Sequence, residues 1–213
     1  MCFGKVPSKE IVKAFDVSLI LYAEHSFNVS TFTARTITSS LSDIHGAITG
    51  AIASLKGPLH GGANEEVMHM MNKIKKPENA LKWINNALDK KEVVMGFGHR
   101  VYKKGDSRVP TMEKYFKKVS KIKNDKKFLK IYDIVKSVMI ERKDIHPNVD
   151  FPTGPTYHLM VFDTDFFTPI FVLSRITGWS AHIMEQHAAN KLIRPLSKYS
   201  GEKHRKVMLL NQR

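Results

Sequence analysis

Apolar residues recur at steps of three and four along almost the whole chain, and this helical period constrains the fold more than any other feature. The clearest stretch contains Ile37, Leu41, Ile44, Ile48, Ile52 and Leu55. Small residues occupy its other faces, which predicts one closely packed core helix over residues 37–55. No segment alternates apolar and polar residues as a strand would. The sequence therefore predicts an all-α protein.

Six further helices and the segments between them follow from the same pattern. Ser8 can cap the first helix, and Gly57-Pro58 ends the predicted core helix. The helices are expected near 8–24, from 64, from 77 to 88, and over 110–120, 127–142 and 169–190. A loop over 93–109, a turn-rich segment over 146–155 that cannot form a long helix, and an irregular tail from 192 complete the prediction.

Composition excludes several classes of protein. The chain has 213 residues and 42% hydrophobic content, which suits one or two globular domains. Its purely apolar stretches are too short to cross a bilayer, and its start does not resemble a secretory leader. The single cysteine, Cys2, cannot form an internal disulfide. We expect a cytoplasmic protein with no membrane partner; the mitochondrial matrix stays open, because the native N-terminus could lie upstream of residue 1.

The formal net charge of +14 is concentrated in one block. Between Arg100 and Lys143 there are 15 basic and 5 acidic residues. Such a block could bind nucleic acid, an anionic surface or a phosphorylated small molecule, or it could be a solvated helical face. The chain contains no nucleic-acid recognition motif, so we expect no nucleic-acid partner.

The glycine-rich segments do not support nucleotide binding, and the histidines do not support a metal site. Gly96 and Gly98 lack the third glycine of a dinucleotide fingerprint, because Val101 occupies that position. Gly57 and Gly62 have the spacing of a phosphate-binding loop, but Ala63 replaces its lysine. The histidines lack metal-ligand spacing, so no metal is expected.

Three titratable residues in or beside turns are candidates for catalysis. His60 lies between two helices, near the positive end of the second, where the helix dipole disfavours the charged ring. His99 follows Gly98 in the long loop that also contains Arg108. Asp150 precedes Phe151-Pro152, an apolar context that would partly desolvate its carboxylate.

Five segments around these residues resemble the signature segments of citrate synthases, in the order and at intervals close to those of that family. They are AEHSFNVSTFTAR at 23–35, GPLHGGANE at 57–65, GFGHRVY at 96–102, PNVDF at 147–151 and GWSAHIMEQ at 178–186. The likeness is greatest to the shorter bacterial type, which includes citrate and 2-methylcitrate synthases. Residues 151–160 and 192–196 also resemble that branch.

The resemblance implies a role for each candidate. Asp150 would remove a proton from the acyl α-carbon, His60 would stabilise the enolate, and His99 would protonate the carbonyl of oxaloacetate. The carboxylates of oxaloacetate would be bound by His25, Arg108, Arg175 and Arg194, the last reaching across from a second subunit. Lys103 and Lys104 would lie near the phosphates of CoA. No permanently bound cofactor and no metal is implied, because acetyl-CoA or propionyl-CoA is a co-substrate.

The resemblance also implies an organisation and a function. Residues 61–157 would form a small, mobile, CoA-binding domain, and 1–60 and 158–213 the remaining parts of a large domain whose N-terminal portion is missing. Apolar faces of the helix over 37–55 would then be uncovered unless another chain covers them. The expected protein is a homodimer that condenses acetyl-CoA or propionyl-CoA with oxaloacetate, giving citrate or 2-methylcitrate and free CoA. The alternative is a truncated, non-catalytic homologue that serves as a binding or dimerising subunit.

Overall fold

The computed structural model describes residues 3–102, 104–204 and 206–213, and the fold of this part is all-α, as predicted. Over these residues two short 3₁₀ segments and one isolated β-bridge, between Phe97 and Pro147, accompany the helices. None of the helices in the described ranges is both long and apolar enough to cross a bilayer. The α-helices are α1 (Lys9–Ala23), α2 (Val29–Ser39), α3 (Ile44–Leu55), α4 (Ala63–Ile74), α5 (Pro77–Asp89), α6 (Val109–Ile122), α7 (Lys127–Lys143), α8 (Asp150–Leu159) and α9 (Phe167–Ala188).

Side-chain caps explain why the first three helices begin where they do. Ser8, Asn28 and Asp43 each adopt an extended backbone and accept a hydrogen bond from the backbone N–H three residues later. Each cap satisfies one of the donors that a helix N-terminus leaves unpaired. Ser8 caps α1 as predicted, whereas the caps of α2 and α3 mark helix starts that the apolar period did not predict.

The prediction of one core helix over residues 37–55 is wrong, because the chain turns between α2 and α3. Leu41 has a left-handed φ of 65°, and Asp43 then caps α3 through the N–H of Gly46. The apolar period continues across the turn because the two helices fold back on each other. A Cβ at Gly50 would lie 2.2 Å from Ile37, so the small residue allows this close packing.

The segment over 146–155 also differs from its prediction, because α8 begins inside it at Asp150. Pro152 lies in the first helical turn, where no backbone N–H is needed. Pro155 is inside the helix, and the hydroxyls of Thr153 and Thr156 bond to the backbone oxygens of Val149 and Pro152. The prolines therefore shape a short helix instead of preventing one, and they place Asp150 at its N-terminus.

Two hydrophobic clusters support the fold. The first cluster contains residues of the five helices α4, α5, α6, α7 and α8, with contributions from α1 and the start of α9. Its members include Met68, Met71, Phe116, Tyr132 and Phe151. The other joins α1, α2, α3 and α9 and contains Tyr22, Ala34, Ala47, Ala51, Leu55, Met112, Val149, Phe171, Trp179 and Ile183. The second cluster holds together the helices that carry most of the candidate site.

Apolar side chains around the turn between α2 and α3 and along α3 remain exposed in the chain. Leu41 is 73% exposed, Ile44 41% and Ile52 38%. The opposite face of α3 is fully buried, with Ala47, Ala51 and Leu55 in the second cluster. Helix α3 is therefore packed on one side and open on the other.

Helix α9 approaches the end of α1 so closely that only glycine fits at the crossing. A Cβ at Gly178 would lie 2.3 Å from the backbone oxygen of Ala23 and 3.3 Å from Glu24. The nearest of these atoms belong to the backbone and cannot rotate away as the end of a long side chain could. A side chain at position 178 must therefore push the end of α1 away from α9.

We expect Gly178→Ala to lower the free energy of unfolding by about 1 to 3 kcal/mol, the usual range for overpacking. Urea unfolding followed by circular dichroism measures this change. Gly57→Ala is the matched control, because its nearest neighbour would be the Ser54 oxygen at 3.5 Å. Equal stability of the two variants would contradict a close crossing at Gly178.

Candidate functional site

A cavity of about 610 Å³ brings together six of the residues predicted from the sequence. The end of α1, the turn before α4, the loop before α6, the start of α8 and α9 all contribute to its wall. The six predicted residues that line it are His25, His60, His99, Arg108, Asp150 and Arg175. Residues distant in sequence thus converge on one cleft.

The remaining predicted residues lie elsewhere. Arg194 is exposed in the irregular segment after α9 and does not line the cavity. Lys104 lines a separate groove of about 750 Å³ beside α6 and α7, with Lys114, Lys117 and Lys136. Lys103 lies outside the described residues.

His60 is held with its Nε2 atom as a hydrogen-bond acceptor. The backbone N–H of Ser30 donates to Nε2 over 3.2 Å, and the hydroxyl oxygen of Ser30 lies 2.8 Å from the same atom. A ring nitrogen that accepts from a backbone N–H carries no proton, so the neutral ring has its proton on Nδ1. Burial, with the charges of Arg175 and His25, lowers the pKa of His60 to about 4. His60 is therefore a neutral donor at pH 7.

Ser30 is a functional residue that the sequence reasoning missed. Its hydroxyl is 2.8 Å from Asn28 Oδ1 and accepts a hydrogen bond of 3.1 Å from the indole N–H of Trp179. The hydroxyl therefore connects α9, the cap of α2 and His60. The helix-capping pattern of Asn28 followed by a serine two residues later is the local signal that could have indicated it.

The rings of His99 and His25 face each other with their Nε2 atoms 3.2 Å apart. Nδ1 of His99 accepts hydrogen bonds from the backbone N–H groups of Val101 and Tyr102, at 3.1 and 3.3 Å. The proton of His99 is consequently on Nε2, and Nε2 of His25 is the acceptor between them. Burial is the main cause of a lowered pKa in both rings, and it brings the pKa of His25 to about 4. The one N–H group of His99 thus bonds to His25, and both rings line the cavity.

Backbone pairing holds the His99 loop beside Asp150. The N–H of Gly98 donates to the oxygen of His146 over 2.9 Å, and the N–H of Asn148 donates to the oxygen of Gly96 over 2.9 Å. Gly96 has a φ of 84°, and a Cβ there would lie 2.8 Å from the Cβ of Phe151. Glycine therefore allows the loop to lie directly against α8.

Asp150 combines a raised pKa with fixed orientation. Its Oδ1 accepts a hydrogen bond of 2.5 Å from the hydroxyl of Tyr22, and its backbone N–H donates to Asn148 Oδ1 over 3.1 Å. Burial raises the pKa of Asp150 to about 6, although the Tyr22 hydrogen bond and the charge of Arg108 oppose that rise. A carboxylate with this pKa is ionised at pH 7 and can accept a proton.

Arg108 is fixed by Asp106, a second residue that the sequence reasoning missed. The guanidinium donates from Nε to Asp106 Oδ1 over 2.9 Å and from Nη2 to Oδ2 over 2.7 Å. Asp106 is fully buried and also accepts from the N–H of Val149 over 3.0 Å. Burial alone would raise the pKa of Asp106, but its bonds with Arg108 keep it below the ordinary value. The sequence signal that could have indicated Asp106 is an acidic residue two positions before a candidate arginine.

Arg175 is almost fully buried, at 1% exposure, and one of its nitrogens has no partner among the described residues. Its Nε donates to the backbone oxygen of Tyr22 over 2.5 Å, and its guanidinium carbon lies 4.8 Å from the Phe171 ring centre. Burial lowers the pKa of Arg175 to about 10, so the group is still charged at pH 7. Arg175 lines the cavity, and a buried cation with an unpartnered N–H suits an anionic ligand.

Together these residues can bind a small polar anion and move protons on it. The cavity is lined by two arginines, one carboxylate with a raised pKa, and the neutral rings of His60 and His99. The described residues contain no group of three or more acidic, histidine or cysteine side chains that could hold a metal ion. The chemistry available from these groups is general acid–base catalysis with hydrogen bonds to developing negative charge.

Comparison with known proteins shows similarity to one family. Residues 1–196 match the family model of the citrate synthase C-terminal domain. The chain is 57% identical to 2-methylcitrate synthase 2 of Corynebacterium glutamicum over 218 aligned residues, which cover 100% of the chain and 57% of that protein. It is also 57% identical to citrate synthase of Mycolicibacterium smegmatis, with 98% and 56% covered.

A solved structure has the same fold. The citrate synthase of Thermoplasma acidophilum, in a ternary complex with carboxymethyl coenzyme A and oxaloacetate, superposes with a TM-score of 0.90 and 38% identity. That comparison covers 99% of this chain and 57% of the other. The chain therefore spans somewhat more than half the length of the proteins it matches.

We expect His60 to be neutral with its proton on Nδ1, and His99 neutral with its proton on Nε2, at pH values from about 6.5 to 8. Long-range proton–nitrogen NMR distinguishes the two tautomers, with His60→Gln and His99→Gln variants used for assignment. A protonated ring or the opposite tautomer at pH 7 would refute the hydrogen-bond assignments.

The lowered pKa of His60 also predicts a pH dependence of stability. Because the folded pKa of about 4 is below the unfolded value of about 6.5, acid protonates the unfolded chain first. The contribution of His60 to the free energy of unfolding is complete above pH 6.5 and is lost as the pH falls toward 4. Urea unfolding of the wild type and His60→Gln should show a smaller decline with acid in the variant.

Proposed function

Because the chain belongs to the citrate synthase family, we propose that its cavity condenses acetyl-CoA or propionyl-CoA with oxaloacetate to give citrate or 2-methylcitrate and free CoA. The supporting observation is that one cleft joins a base with a pKa of about 6, two neutral histidines and two arginines, of which Arg175 is fully buried. The Thermoplasma relative, solved with oxaloacetate and a CoA derivative, supports the same pair of substrates.

Asp150 is the base of the proposed reaction. Its carboxylate removes a proton from the α-carbon of the acyl thioester, which leaves an enolate. Oδ1 is occupied by the Tyr22 hydroxyl, so Oδ2 is the oxygen available to take that proton. The pKa of about 6 keeps Asp150 ionised at pH 7 while making it more basic than an ordinary aspartate.

His60 stabilises the enolate as it forms. Because Nε2 accepts from Ser30, the Nδ1–H group is the donor that can bond to the thioester oxygen. Negative charge grows on that oxygen during proton transfer, so a fixed donor binds the transition state more strongly than the ground state. A neutral ring also avoids placing a third cation beside Arg175 and Arg108.

His99 activates oxaloacetate. Its Nε2–H group, which bonds to His25 in the structure, exchanges that partner for the keto oxygen when oxaloacetate binds. It then transfers its proton as the enolate carbon bonds to the keto carbon. The product of this step is a tertiary alcohol that is still a CoA thioester. Water then cleaves the thioester bond, which releases a carboxylate and the thiol of CoA.

The arginines bind the carboxylates of oxaloacetate in this proposal. Arg108 is oriented by Asp106, and Arg175 offers its unpartnered nitrogen. His25 completes the pocket beside His99. Arg194 is exposed, and by the family resemblance it would enter the site of a second copy in a homodimer.

The remaining assignments complete the proposal. Lys103 and Lys104 would attract the phosphates of CoA, residues 61–157 would form the mobile CoA-binding domain, and the protein would act in the cytoplasm. The first hydrophobic cluster packs the five helices α4, α5, α6, α7 and α8 of that range together, and it also includes residues of α1 and α9.

Asp150→Asn tests the base directly. We expect thiol release from either acyl-CoA with oxaloacetate to fall by at least about a hundredfold, because the amide cannot accept the proton. Binding of oxaloacetate, measured by calorimetry, should be largely unchanged. Asp165→Asn, at an exposed position outside the cavity, is the control.

The outcomes separate catalysis from binding. Retained turnover in Asp150→Asn would refute the assignment of the base. Oxaloacetate binding by a folded wild-type chain that releases no thiol with either acyl-CoA would refute the catalytic function for this chain.

Arg175→Lys tests the anion pocket. Lysine keeps the charge but loses the fork that spans the Tyr22 oxygen and the ligand. We expect the dissociation constant for oxaloacetate to rise by about ten- to a hundredfold, since a hydrogen bond to a charged group contributes about 1.5 to 3 kcal/mol. Arg142→Lys is the control, because Arg142 bonds to Asn85 and Asp89 on the surface. Equal affinities would remove Arg175 from the binding site.

A further inference from the structure

Tyr22 contacts the proposed base, and the reaction outlined above gives the residue itself no role. Its hydroxyl donates to Asp150 Oδ1 over 2.5 Å, across 128 positions of sequence. The side chain is 1% exposed, and its ring centre lies 4.1 Å from that of Phe171. A buried tyrosine with a single orientation is thus directed at one oxygen of the carboxylate.

We propose that Tyr22 is a positioning residue for the base: its hydroxyl fixes Oδ1 of Asp150 and so leaves Oδ2 facing the α-carbon of the acyl group. This inference rests on the proposed function for the identity of the reacting atom. The contact itself can be tested without turnover. Tyr22 does not touch the reacting atoms in this scheme and acts through Asp150.

The backbone of Tyr22 gives the residue a second connection. Its carbonyl oxygen accepts from Nε of Arg175 over 2.5 Å. One residue therefore contacts the base through its side chain and the oxaloacetate-binding cation through its main chain. Because the second contact uses the backbone, a change of the hydroxyl alone should affect the base and leave the Arg175 contact intact.

The hydroxyl is a donor at every pH at which the site would work. Burial and the neighbouring charge of Asp150 raise the pKa of Tyr22 well above its ordinary value. Donation favours the charged form of Asp150 and therefore opposes the effect of burial on the carboxyl. The titratable and charged groups that face Asp150 are Tyr22 from α1, Asp106 and Arg108 from the loop before α6, Tyr157 from α8 and Arg175 from α9.

Tyr22→Phe removes the donor while keeping the ring that packs on Phe171. We expect the pKa of Asp150 to rise by about one, a change of about 1.4 kcal/mol between its two protonation states. The measurement is ¹³C NMR titration of the aspartate carboxyl groups, with the Asp150 signal assigned by its absence in Asp150→Asn.

Tyr157→Phe is the matched control. Tyr157 is also fully buried, but its hydroxyl pairs with Ser18 at 2.9 Å instead of with Asp150. The same loss of one buried hydroxyl should leave the pKa of Asp150 close to that of the wild type. An unchanged Asp150 pKa in Tyr22→Phe, or equal shifts in both variants, would overturn the proposal.

Turnover provides the second part of the test. We expect Tyr22→Phe to lower kcat by about ten- to a hundredfold, because the carboxylate can rotate away from its productive orientation. The KM for oxaloacetate should stay nearly constant, and the acidic limb of the kcat profile should move to higher pH. Unchanged kcat and an unchanged limb would overturn the positioning role while leaving the proposed function intact.

Two further observations keep the outcomes distinct. A raised Asp150 pKa in Tyr22→Phe, together with a wild type that releases no thiol, would support the contact and refute the proposed function. If Tyr22→Phe does not fold, 3-fluorotyrosine can replace all six tyrosines, which makes the hydroxyls stronger donors. The pKa of Asp150 should then fall, and a constant value would overturn the proposal.

Discussion

The crossing of α1 and α9 is the contact on which the site depends. Gly178 lets the backbone of Ala23 approach α9 to a distance that no side chain would permit. At this separation the carbonyl of Tyr22 reaches the guanidinium of Arg175, and the Tyr22 hydroxyl reaches Asp150. His25 follows immediately at the end of the same helix. The absence of one methyl group at position 178 therefore allows α1 to contact both Arg175 and Asp150.

The buried charged groups near the cavity differ in how their hydrogen-bonding atoms are satisfied. Both carboxylate oxygens of Asp106 accept hydrogen bonds from Arg108, and one also accepts from the backbone N–H of Val149. Asp106 thus fixes the arginine while remaining buried itself. Arg175 is different, because one of its buried nitrogens has no partner in the described part of the chain. An unpaired buried donor lowers stability unless something occupies it. A buried cation of this kind suits an anionic ligand, and it is separate from the lysine-rich surface of α6 and α7.

The sequence predicts the helices where the apolar period has a single interpretation, as in α1, α5 and α7. The prediction fails at the turn after Ser39, because two helices that pack against each other can continue one apolar period across the turn between them. It also fails at α8, because prolines are compatible with the first turn of a helix. Family resemblance identifies six residues that line the cavity. Ser30, Tyr22 and Asp106 escape that reasoning, since their roles arise from contacts with distant residues or from burial that local sequence does not reveal.

Burial shifts the acid–base groups of the cavity in opposite directions, and both shifts suit the same chemistry. Loss of water disfavours the charged form of each group, so it raises the pKa of Asp150 and lowers those of His25, His60 and His99. The carboxylate becomes a stronger base, while the imidazoles remain neutral hydrogen-bond donors. Fixed N–H groups then decide which ring nitrogen carries the proton. One cavity therefore contains both a carboxylate of raised pKa and neutral imidazoles. The Tyr22 hydroxyl limits how far the pKa of Asp150 rises, so that Asp150 stays ionised near neutral pH.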